Sequence, residues 1–306
     1  MSDKLIVAGC DVGSLTGKMV ILEVDDSDNT KIEIIASSIV PTRIRPALTA
    51  QDALNAALKN CKSDKVKSIE DINYIIGTGY GRVKIPFANK NISEISCHGK
   101  GAFWADPEVR TIVDIGGQDC KVIRIDDEGK LEDFTMNDKC AAGTGRFLEV
   151  MSKALELELD ELGPVALKSK NPAKITAQCS VFAESEVISL IGSGANVEDI
   201  AAGIVNAIAS RINSLINRVG LKREVTMTGG VAKNIGVIVA LENKLNLKIR
   251  KLSIDPQLMG AIGAALFAID QYKKEKDTIK AATGKKEVGP EPIKMTKKRK
   301  LKKWDF

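Results

Sequence analysis

Two of the six cysteines stand in segments of small and polar residues that lead into helical patterns. Cys140 lies in NDKCAAGTGRF, residues 137–147, and Cys179 lies in TAQCSVFAESE, residues 176–186. The amino-terminal end of a helix carries partial positive charge and free N–H groups, so it stabilises a thiolate or an anionic metal cluster. Two unrelated buried cysteines are the plainer interpretation, but the matched contexts favour a pair of metal ligands.

Two thiolates are half of the four that hold a [4Fe–4S] cluster. A symmetric dimer would supply the other two from the same positions of a second chain. The sequence has no Cys-x-x-Cys pair, and its single histidine, His98, excludes a histidine-rich metal site. Ligand counting therefore predicts a cluster shared between two subunits through Cys140 and Cys179.

Two acidic, glycine-containing turns each follow an apolar strand pattern. The first reads DVGSLTGK, residues 11–18, and the second reads DIGGQD, residues 114–119. Glycine lets backbone N–H groups approach phosphate oxygens, and a neighbouring carboxylate holds Mg²⁺ through water. The first turn is not a P-loop, because its spacing differs and Met19 stands where Ser or Thr is required. Taken alone, each turn fits a plain hairpin equally well.

A third segment, MTGGVAKN at residues 227–234, ends a strand pattern in paired glycines before a helical pattern. Such a turn lets a base and ribose lie against the backbone. In this order the three segments resemble the nucleotide site of the actin, sugar kinase and Hsp70 ATPase superfamily. They predict binding of ATP or ADP together with Mg²⁺.

The succession of strand, Asp-x-Gly turn, strand, strand and helix occurs twice along the chain. This repetition predicts an α/β fold of two similar halves with a ligand cleft between them. The resemblance to the actin, sugar kinase and Hsp70 superfamily implies that the halves are duplicated RNase H-like domains, with the nucleotide in the interdomain cleft. We place the first half at residues 1–95, completed by a carboxy-terminal helix at 258–272. The second half, at residues 96–257, carries both cysteines and the nucleoside segment. Residues 273–306 are rich in Lys and Arg and are predicted to form a flexible tail.

The composition excludes several classes of protein. A chain of 306 residues that is 44% apolar can build two domains of ordinary size. No apolar run reaches the length of a membrane span, and the amino terminus lacks the features of a signal peptide, so we expect a cytoplasmic protein. The tail lacks interleaved aromatic residues, so nucleic acid is not an expected partner. A solvated extension or a docking segment for an acidic protein remain alternatives for the tail.

The two cysteine segments resemble the cluster motifs of the family of 2-hydroxyacyl-CoA dehydratase activators and benzoyl-CoA reductase ATPase subunits. Three more segments fit that family, namely TGYGR at residues 78–82, EISCH at 94–98 and DIGGQD at 114–119. The resemblance runs from about residue 5 to residue 270 and leaves the basic tail outside. It implies an ATP-hydrolysing electron-transfer protein with an iron–sulfur cluster.

The resemblance also assigns roles to individual positions. Cys140 and Cys179 would ligate a [4Fe–4S] cluster shared between the subunits of a homodimer, or of a heterodimer with a paralogue. The nucleotide-binding positions would be Gly13, Ser14, Lys18, Gly116, Gly117, Gly229, Gly230 and Asn234. The catalytic positions would be Asp11 and Asp114, near Mg²⁺, together with Gln118.

The same resemblance implies that ferredoxin or flavodoxin donates the electron and that a dehydratase or a benzoyl-CoA reductase core receives it. Two other functions remain open from the residues alone: a small-molecule kinase of the same superfamily, and a nucleotide-sensing protein without turnover. Cys97 beside His98 could form a nucleophile–base pair, although adjacent side chains seldom face each other. Glu184 and Glu186 would either balance a helix dipole or relay nucleotide state to the cluster.

Overall fold

The computed structural model describes residues 4–25, 28–138, 140–175 and 179–283. The chain divides into two compact units. Within the described residues, the first unit holds residues 4–12, 16–94 and 264–283, and the second holds residues 13–15 and 95–263. The division proposed from the sequence places the main junction between residues 95 and 96.

The first unit is built on a five-stranded sheet in the order β3-β2-β1-β4-β5. Its elements before the junction are β1 (Lys4–Val12), β2 (Thr16–Asp25), β3 (Asp28–Pro41), α1 (Pro46–Lys59), β4 (Tyr74–Thr78) and β5 (Lys90–Asn91), with short 3-10 turns at Ile69–Asp71 and Arg82–Lys84. β1 pairs antiparallel with β2 and parallel with β4. Every residue of β1 after Lys4 is buried, which explains why residues 5–10 form a continuous apolar run rather than an alternation.

The second unit contains a four-stranded sheet in the order β8-β7-β6-β9. Its strands are β6 (Thr111–Ile115), β7 (Cys120–Ile125), β8 (Leu131–Asn137) and β9 (Val225–Thr228). Its helices are α2 (Glu94–Ala105), α3 (Gly145–Ala154), α4 (Leu162–Ala166), α5 (Ser180–Gly192), α6 (Val197–Val219) and α7 (Ile235–Leu245). The last helix, α8 (Met259–Thr283), begins here, and short 3-10 turns stand at Gly230–Lys233 and Pro256–Leu258.

The two sheets repeat one topology. In each, a first strand pairs antiparallel with the second and parallel with a later strand, and the third strand pairs antiparallel with the second. The matching strands are β1, β2, β3 and β4 in one unit and β6, β7, β8 and β9 in the other. The predicted α/β class and the internal duplication are therefore confirmed.

Helix α6 supplies much of the core of the second unit. Ile200, Ile204, Ile208, Ile212 and Ile216 recur every four residues and are all buried. Burying one such side chain contributes about 1.5–3 kcal/mol, so this single stripe accounts for the placement of the longest helix that lies wholly in the unit. Neither α6 nor any other helix in the described part of the chain is long and apolar enough to cross a membrane.

Helix α2 lies in a segment to which the sequence analysis assigns no element, and it contains Gly99 and Gly101, residues that lower helix propensity. The structure shows why a glycine is needed at one of these positions. A Cβ at Gly101 would lie 2.2 Å from the Met259 carbonyl oxygen, and one at Gly263 would lie 1.8 Å from the Cys97 carbonyl oxygen. Helix α2 and the first turn of α8 thus pack backbone against backbone.

Helix α8 ends at Thr283, so residues 273–283 are helical, whereas the sequence analysis assigns them to the tail. Contacts with β4 explain the extension. The Tyr74 hydroxyl donates to Glu275 Oε1 at 2.6 Å, and the Tyr272 ring meets the Tyr74 ring edge-on with centroids 6.5 Å apart. The rest of the predicted basic tail, residues 284–306, lies outside the described residues.

Candidate nucleotide site and cysteine pair

The first acidic turn joins two strands whose side chains meet across the hairpin. Asp11 in β1 stands opposite Lys18 in β2, and Lys18 Nζ lies 3.4 Å from Asp11 Oδ2. Both side chains are largely buried, so solvent screens their attraction only weakly. Gly13 and Ser14 occupy the turn between the strands. The predicted residues of the first phosphate loop therefore belong to one hairpin.

The TGYGR segment packs on the end of β1. Gly79 has φ +85°, and a Cβ there would lie 2.3 Å from Asp11 Oδ1. The Gly81 N–H donates to the Val12 carbonyl oxygen at 2.8 Å. Since only glycine tolerates both the backbone conformation and the close approach at position 79, this turn fixes the position of the Asp11 carboxylate.

The second acidic turn repeats this geometry. Asp114 in β6 stands opposite Lys121 in β7, and Lys121 Nζ lies 3.2 Å from Asp114 Oδ2 and 2.8 Å from Asp119 Oδ2. The Lys121 side chain is only 3% exposed, and a lysine is almost never buried so deeply unless it is paired. The predicted residues 116–118 lie in the turn between these strands.

The other face of the Asp114 carboxylate meets two further side chains. The Thr228 hydroxyl donates to Asp114 Oδ1 at 2.8 Å, and His98 Nδ1 lies 3.3 Å from the same oxygen and 3.0 Å from Thr228 Oγ1. Burial alone would raise the pKa of the Asp114 carboxyl, but His98, Lys121 and Thr228 together hold that pKa well below its usual range. Asp114 is therefore a fixed negative charge.

Thr228 and Gly229 repeat the arrangement of Thr78 and Gly79. Thr228 pairs with Asp114 as Thr78 pairs with Asp11 in the parallel strands. Gly229 has φ +81°, and a Cβ there would lie 2.3 Å from the Ile115 carbonyl oxygen and 2.9 Å from Asp114 Oδ1. Each unit thus contains an Asp–Lys hairpin closed by a Thr-Gly turn.

The predicted nucleoside segment lies between β9 and α7. Gly230 begins a 3-10 turn directly after Gly229. The Asn234 side-chain oxygen accepts a hydrogen bond from the Val237 N–H at 3.1 Å. Asn234 is therefore the N-cap of α7. This hydrogen bond gives the side-chain oxygen a structural role that requires no ligand.

The turn of the first hairpin packs on the second phosphate loop. A Cβ at Gly117 would lie 2.4 Å from Leu15 Cγ and 2.6 Å from Leu15 Cδ1. Residues 13–15 accordingly cluster with the second unit rather than with the strands that flank them. Leu15, which follows the predicted residues Gly13 and Ser14 in this turn, makes the contact with Gly117.

Cys140 lies between β8 and α3, and α3 is bonded to the second phosphate loop. The Gly145 N–H donates to the Gly116 carbonyl oxygen at 2.9 Å, and the Arg146 N–H donates to the Gly117 carbonyl oxygen at 2.8 Å. Cys140 is half-buried against the core of the second unit. The prediction that a helix follows this cysteine is confirmed.

Cys179 is the N-cap residue of α5 and is exposed. Its carbonyl oxygen accepts from the Ala183 N–H at 3.0 Å, so the prediction that a helix follows this cysteine too is confirmed. Neither Glu184 nor Glu186 lies in the first turn of α5, where an acidic residue would balance the dipole most effectively. Residues 176–178 of the motif lie outside the described residues.

The donor set fits a thiolate-ligated cluster only if two chains contribute. Within the ranges that the structure describes, no group of three or more His, Cys, Asp or Glu side chains is placed to hold a metal ion. None of the six cysteines, which all lie in the described part of the chain, forms a disulfide, and Cys179 is exposed. Soft thiolates are the ligands that iron–sulfur clusters require.

Three of the four remaining cysteines are buried and are poor candidates for ligands. Burial raises the pKa of the Cys10 thiol, and it raises that of Cys120 to about 11. Cys97 is buried as well. The neighbouring His98 ring contacts Asp114 and Thr228 instead. Its side chain therefore belongs to the cluster around the Asp114 carboxylate.

The sequence analysis misses three residues of this cluster: Lys121, Thr228 and His98. One sequence signal identifies Lys121, because Asp11 and Lys18 have the same spacing as Asp114 and Lys121. His98 has no comparable signal, since it reaches Asp114 only through the packing of α2.

Two sheets of one topology, each carrying an Asp–Lys hairpin and a Thr-Gly turn, define an ATPase of the actin and Hsp70-like fold. The chain belongs to the BadF/BadG/BcrA/BcrD ATPase family, which its residues 8–268 match. The resemblance to this family and the ATPase class expected from the sequence are therefore confirmed.

Several relatives are similar over nearly their whole length. The chain is 44% identical to the 2-hydroxyisocaproyl-CoA dehydratase activator of Clostridioides difficile, covering 89% of this chain and 98% of that one. It is 46% identical to the activator of lactoyl-CoA dehydratase of Anaerotignum propionicum, covering 87% and 98%. The solved structure of the Clostridium difficile 2-hydroxyisocaproyl-CoA dehydratase activator with bound ADPNP superposes with a TM-score of 0.81 at 43% identity, covering 90% and 98%.

Proposed function

We propose that this chain is a dehydratase-activating ATPase that couples ATP hydrolysis to electron transfer, through an iron–sulfur cluster, into an enzyme that acts on a CoA ester. One observation carries the proposal. The loop that would bind phosphate accepts two hydrogen bonds from the first turn of α3, the helix that follows the cluster cysteine Cys140. Backbone hydrogen bonds thus join the loop that would bind phosphate to the segment that contains Cys140.

The nucleotide would be held by the two hairpins and the paired glycines. The N–H groups around Gly13 and residues 116–117 would donate to phosphate oxygens, with Ser14 and Lys18 as further donors. Asp11 and Asp114 would bind Mg²⁺ through water, and Gln118 would orient the attacking water. Gly229, Gly230 and Asn234 would contact the nucleoside. Because His98, Lys121 and Thr228 lower the pKa of the Asp114 carboxyl, this group would be a carboxylate, the form that binds a cation, at neutral pH.

Cys140 and Cys179 of two chains would together ligate one [4Fe–4S] cluster. Such a cluster supplies a one-electron carrier of low reduction potential when it is bound. Helix α5, which begins directly after Cys179, supports a dimer at this position. It exposes four large apolar side chains, Val181, Phe182, Ile188 and Ile191, and a second subunit would remove them from water. The second subunit would be another copy of this chain or a paralogue.

The electron would come from ferredoxin or flavodoxin, in the cytoplasm. The recipient would be a 2-hydroxyacyl-CoA dehydratase, since relatives of 44% and 46% identity bear the names of dehydratase activators. A benzoyl-CoA reductase core is the second candidate, because the family includes both. A small-molecule kinase is not favoured, since it would need neither exposed Cys179 nor half-buried Cys140.

Reconstitution tests the proposal. The protein, purified without oxygen, is combined with a purified 2-hydroxyisocaproyl-CoA dehydratase, reduced flavodoxin, Mg²⁺ and ATP. We expect dehydration of the 2-hydroxyacyl-CoA that requires ATP, persists in Cys61→Ser and is abolished in Cys179→Ser. Activity only with a benzoyl-CoA reductase core would redirect the assignment. ATP-dependent phosphorylation of a small molecule, with no electron transfer to either partner, would refute it.

A further inference from the structure

Asn137 joins the strand that follows the second phosphate loop to the segment that contains Cys140. It is the last residue of β8 and stands opposite Cys120, the first residue of β7. Its side-chain Nδ2 donates to the Cys140 carbonyl oxygen at 2.9 Å and lies 4.0 Å from Cys120 Sγ. One amide group therefore contacts both segments.

Cys120 follows directly on the loop that would bind phosphate. That loop is closed by the hydrogen bond from the Gly116 N–H to the Asp119 carbonyl oxygen, 3.0 Å long. A change in the loop on nucleotide binding would therefore move Cys120, and with it the strand partner Asn137. Because β7 and β8 are paired along their length, the displacement would be transmitted rather than absorbed.

The segment after Cys140 is attached at its other end as well. Thr144 donates to the Ala141 carbonyl oxygen from both its N–H and its hydroxyl, at 3.0 and 2.6 Å. The next residue, Gly145, donates to the Gly116 carbonyl oxygen at 2.9 Å. Residues 140–145 are thus held between two attachments, Asn137 on one side and the phosphate loop itself on the other.

We propose that Asn137 is a positioning residue that transmits the nucleotide state of the 116–119 loop to the backbone of Cys140. The proposal rests on the proposed function, since it takes Cys140 as a cluster ligand and 116–119 as a phosphate loop. With both attachments intact, residues 140–145 must follow the loop. Without the amide donor of Asn137, the Cys140 carbonyl oxygen loses its hydrogen bond to the end of β8, and the coupling through that bond is lost.

If the nucleotide affects the cluster, the redox state of the cluster must affect nucleotide affinity by the same factor. The coupling is therefore measured as the ratio of the nucleotide dissociation constants in the oxidised and reduced states. The dissociation constant of Mg²⁺–ADPNP is determined anaerobically for the oxidised and the reduced cluster-loaded protein. In the wild type we expect the two constants to differ by about fivefold or more. In Asn137→Asp, which keeps the size of the side chain but removes the donor, we expect a ratio below about twofold.

Asn89→Asp is the matched control. Asn89 accepts from the Ile75 N–H at 2.7 Å, so the aspartate keeps the hydrogen bond, and the ratio should equal that of the wild type. An unchanged ratio in Asn137→Asp, or a ratio of one in the wild type, would overturn the inference. The absence of iron from the wild type would instead refute the proposed function, and iron analysis distinguishes these cases.

A second readout applies if Asn137→Asp fails to retain iron. Hydrogen–deuterium exchange of the cluster-free proteins is compared with and without Mg²⁺–ADPNP. We expect the nucleotide to change exchange at both 116–121 and 140–143 in the wild type and in Asn89→Asp. In Asn137→Asp the change should be confined to 116–121. An undiminished response at 140–143 would contradict the role of Asn137.

Discussion

Lys121 Nζ lies 3.2 Å from Asp114 Oδ2, across a hairpin that duplicates the one in which Lys18 Nζ lies 3.4 Å from Asp11 Oδ2. In both hairpins the lysine and the aspartate occupy facing positions of antiparallel strands. Each lysine neutralises a buried carboxylate and limits how that carboxylate can turn. The duplication of the chain therefore extends to individual charged atoms at the candidate site.

Removing Lys121 should destabilise the protein strongly. Lys121→Met leaves Asp114 and Asp119 without their shared cation, and breaking a buried ion pair costs about 3 kcal/mol or more. Urea unfolding measures the change in the free energy of unfolding. Lys222→Met is the control, because Lys222 pairs with Glu132 at 3.0 Å but is 41% exposed, and it should cost less than about 1 kcal/mol. An equal decrease in the free energy of unfolding in the two variants would contradict the claim that Lys121 stabilises Asp114 and Asp119 as a buried cation.

Gly79 should tolerate no side chain. Gly79→Ala places a Cβ 2.3 Å from Asp11 Oδ1 at φ +85°, so we expect weaker Mg²⁺–ADPNP binding and a loss of stability above about 1 kcal/mol. The control is Gly194→Ala, where φ is +79° but nothing lies within 4 Å of the added Cβ. It should lose stability through backbone strain alone and bind the nucleotide normally. Calorimetric titration compares the two variants, and unimpaired binding in Gly79→Ala would contradict the placement of Asp11.

The ion pair between Asp106 and Arg250 should give a pH-dependent contribution to stability. Arg250 Nη2 donates to Asp106 Oδ1 at 3.1 Å, and this hydrogen bonding lowers the pKa of the Asp106 carboxyl. The folded state therefore favours the carboxylate. Its contribution is complete above the ordinary pKa of about 3.9 and is lost as the pH falls through the lower folded-state pKa.

Urea unfolding of Asp106→Asn measures this contribution. We expect a loss of roughly 1–2 kcal/mol relative to wild type that is equal at pH 7 and pH 5 and smaller at pH 3. Asp127→Asn, whose side chain is 78% exposed in its pair with Arg110, should lose less than about 0.5 kcal/mol at each pH. If the stability lost in Asp106→Asn increased toward low pH, the result would contradict a lowered pKa of Asp106 in the folded state.

The exposed face of α5 should mediate self-association. Phe182 is 71% exposed, and Phe182→Asp should weaken the dimer of cluster-loaded protein at least about tenfold, as expected for a central aromatic anchor. Ile44→Asp is the control, because Ile44 is fully exposed in the first unit at 102% and should leave the dimer intact. Analytical ultracentrifugation without oxygen measures both, and an unaffected Phe182→Asp dimer would place the interface elsewhere.

The sequence predicts the features that depend on local pattern. Asp11 and Asp114 are identified by their glycine turns, and the strands around them are apolar enough to be recognised. The helices after Cys140 and Cys179 are likewise signalled by small residues before helical periodicity. Duplication of the turn then leads to the correct fold class.

Features that depend on packing are not readable from the sequence. His98 reaches Asp114 because α2 lies against β6 and the start of α8, an arrangement that requires Gly101 and Gly263. The helical extension of α8 depends on Glu275 meeting Tyr74, a contact between residues far apart in the chain. Asn137 looks like an ordinary end-of-strand residue until its contact with Cys140 is known.

Iron analysis of protein purified without oxygen tests the central claim most directly. Iron and acid-labile sulfide are determined together with an EPR spectrum after reduction, for the wild type, Cys140→Ser, Cys179→Ser and the control Cys61→Ser. We predict about four irons per two chains in the wild type and in Cys61→Ser, and loss of the cluster in the other two variants. A wild-type protein that binds Mg²⁺–ADPNP but contains no iron would contradict the electron-transfer function.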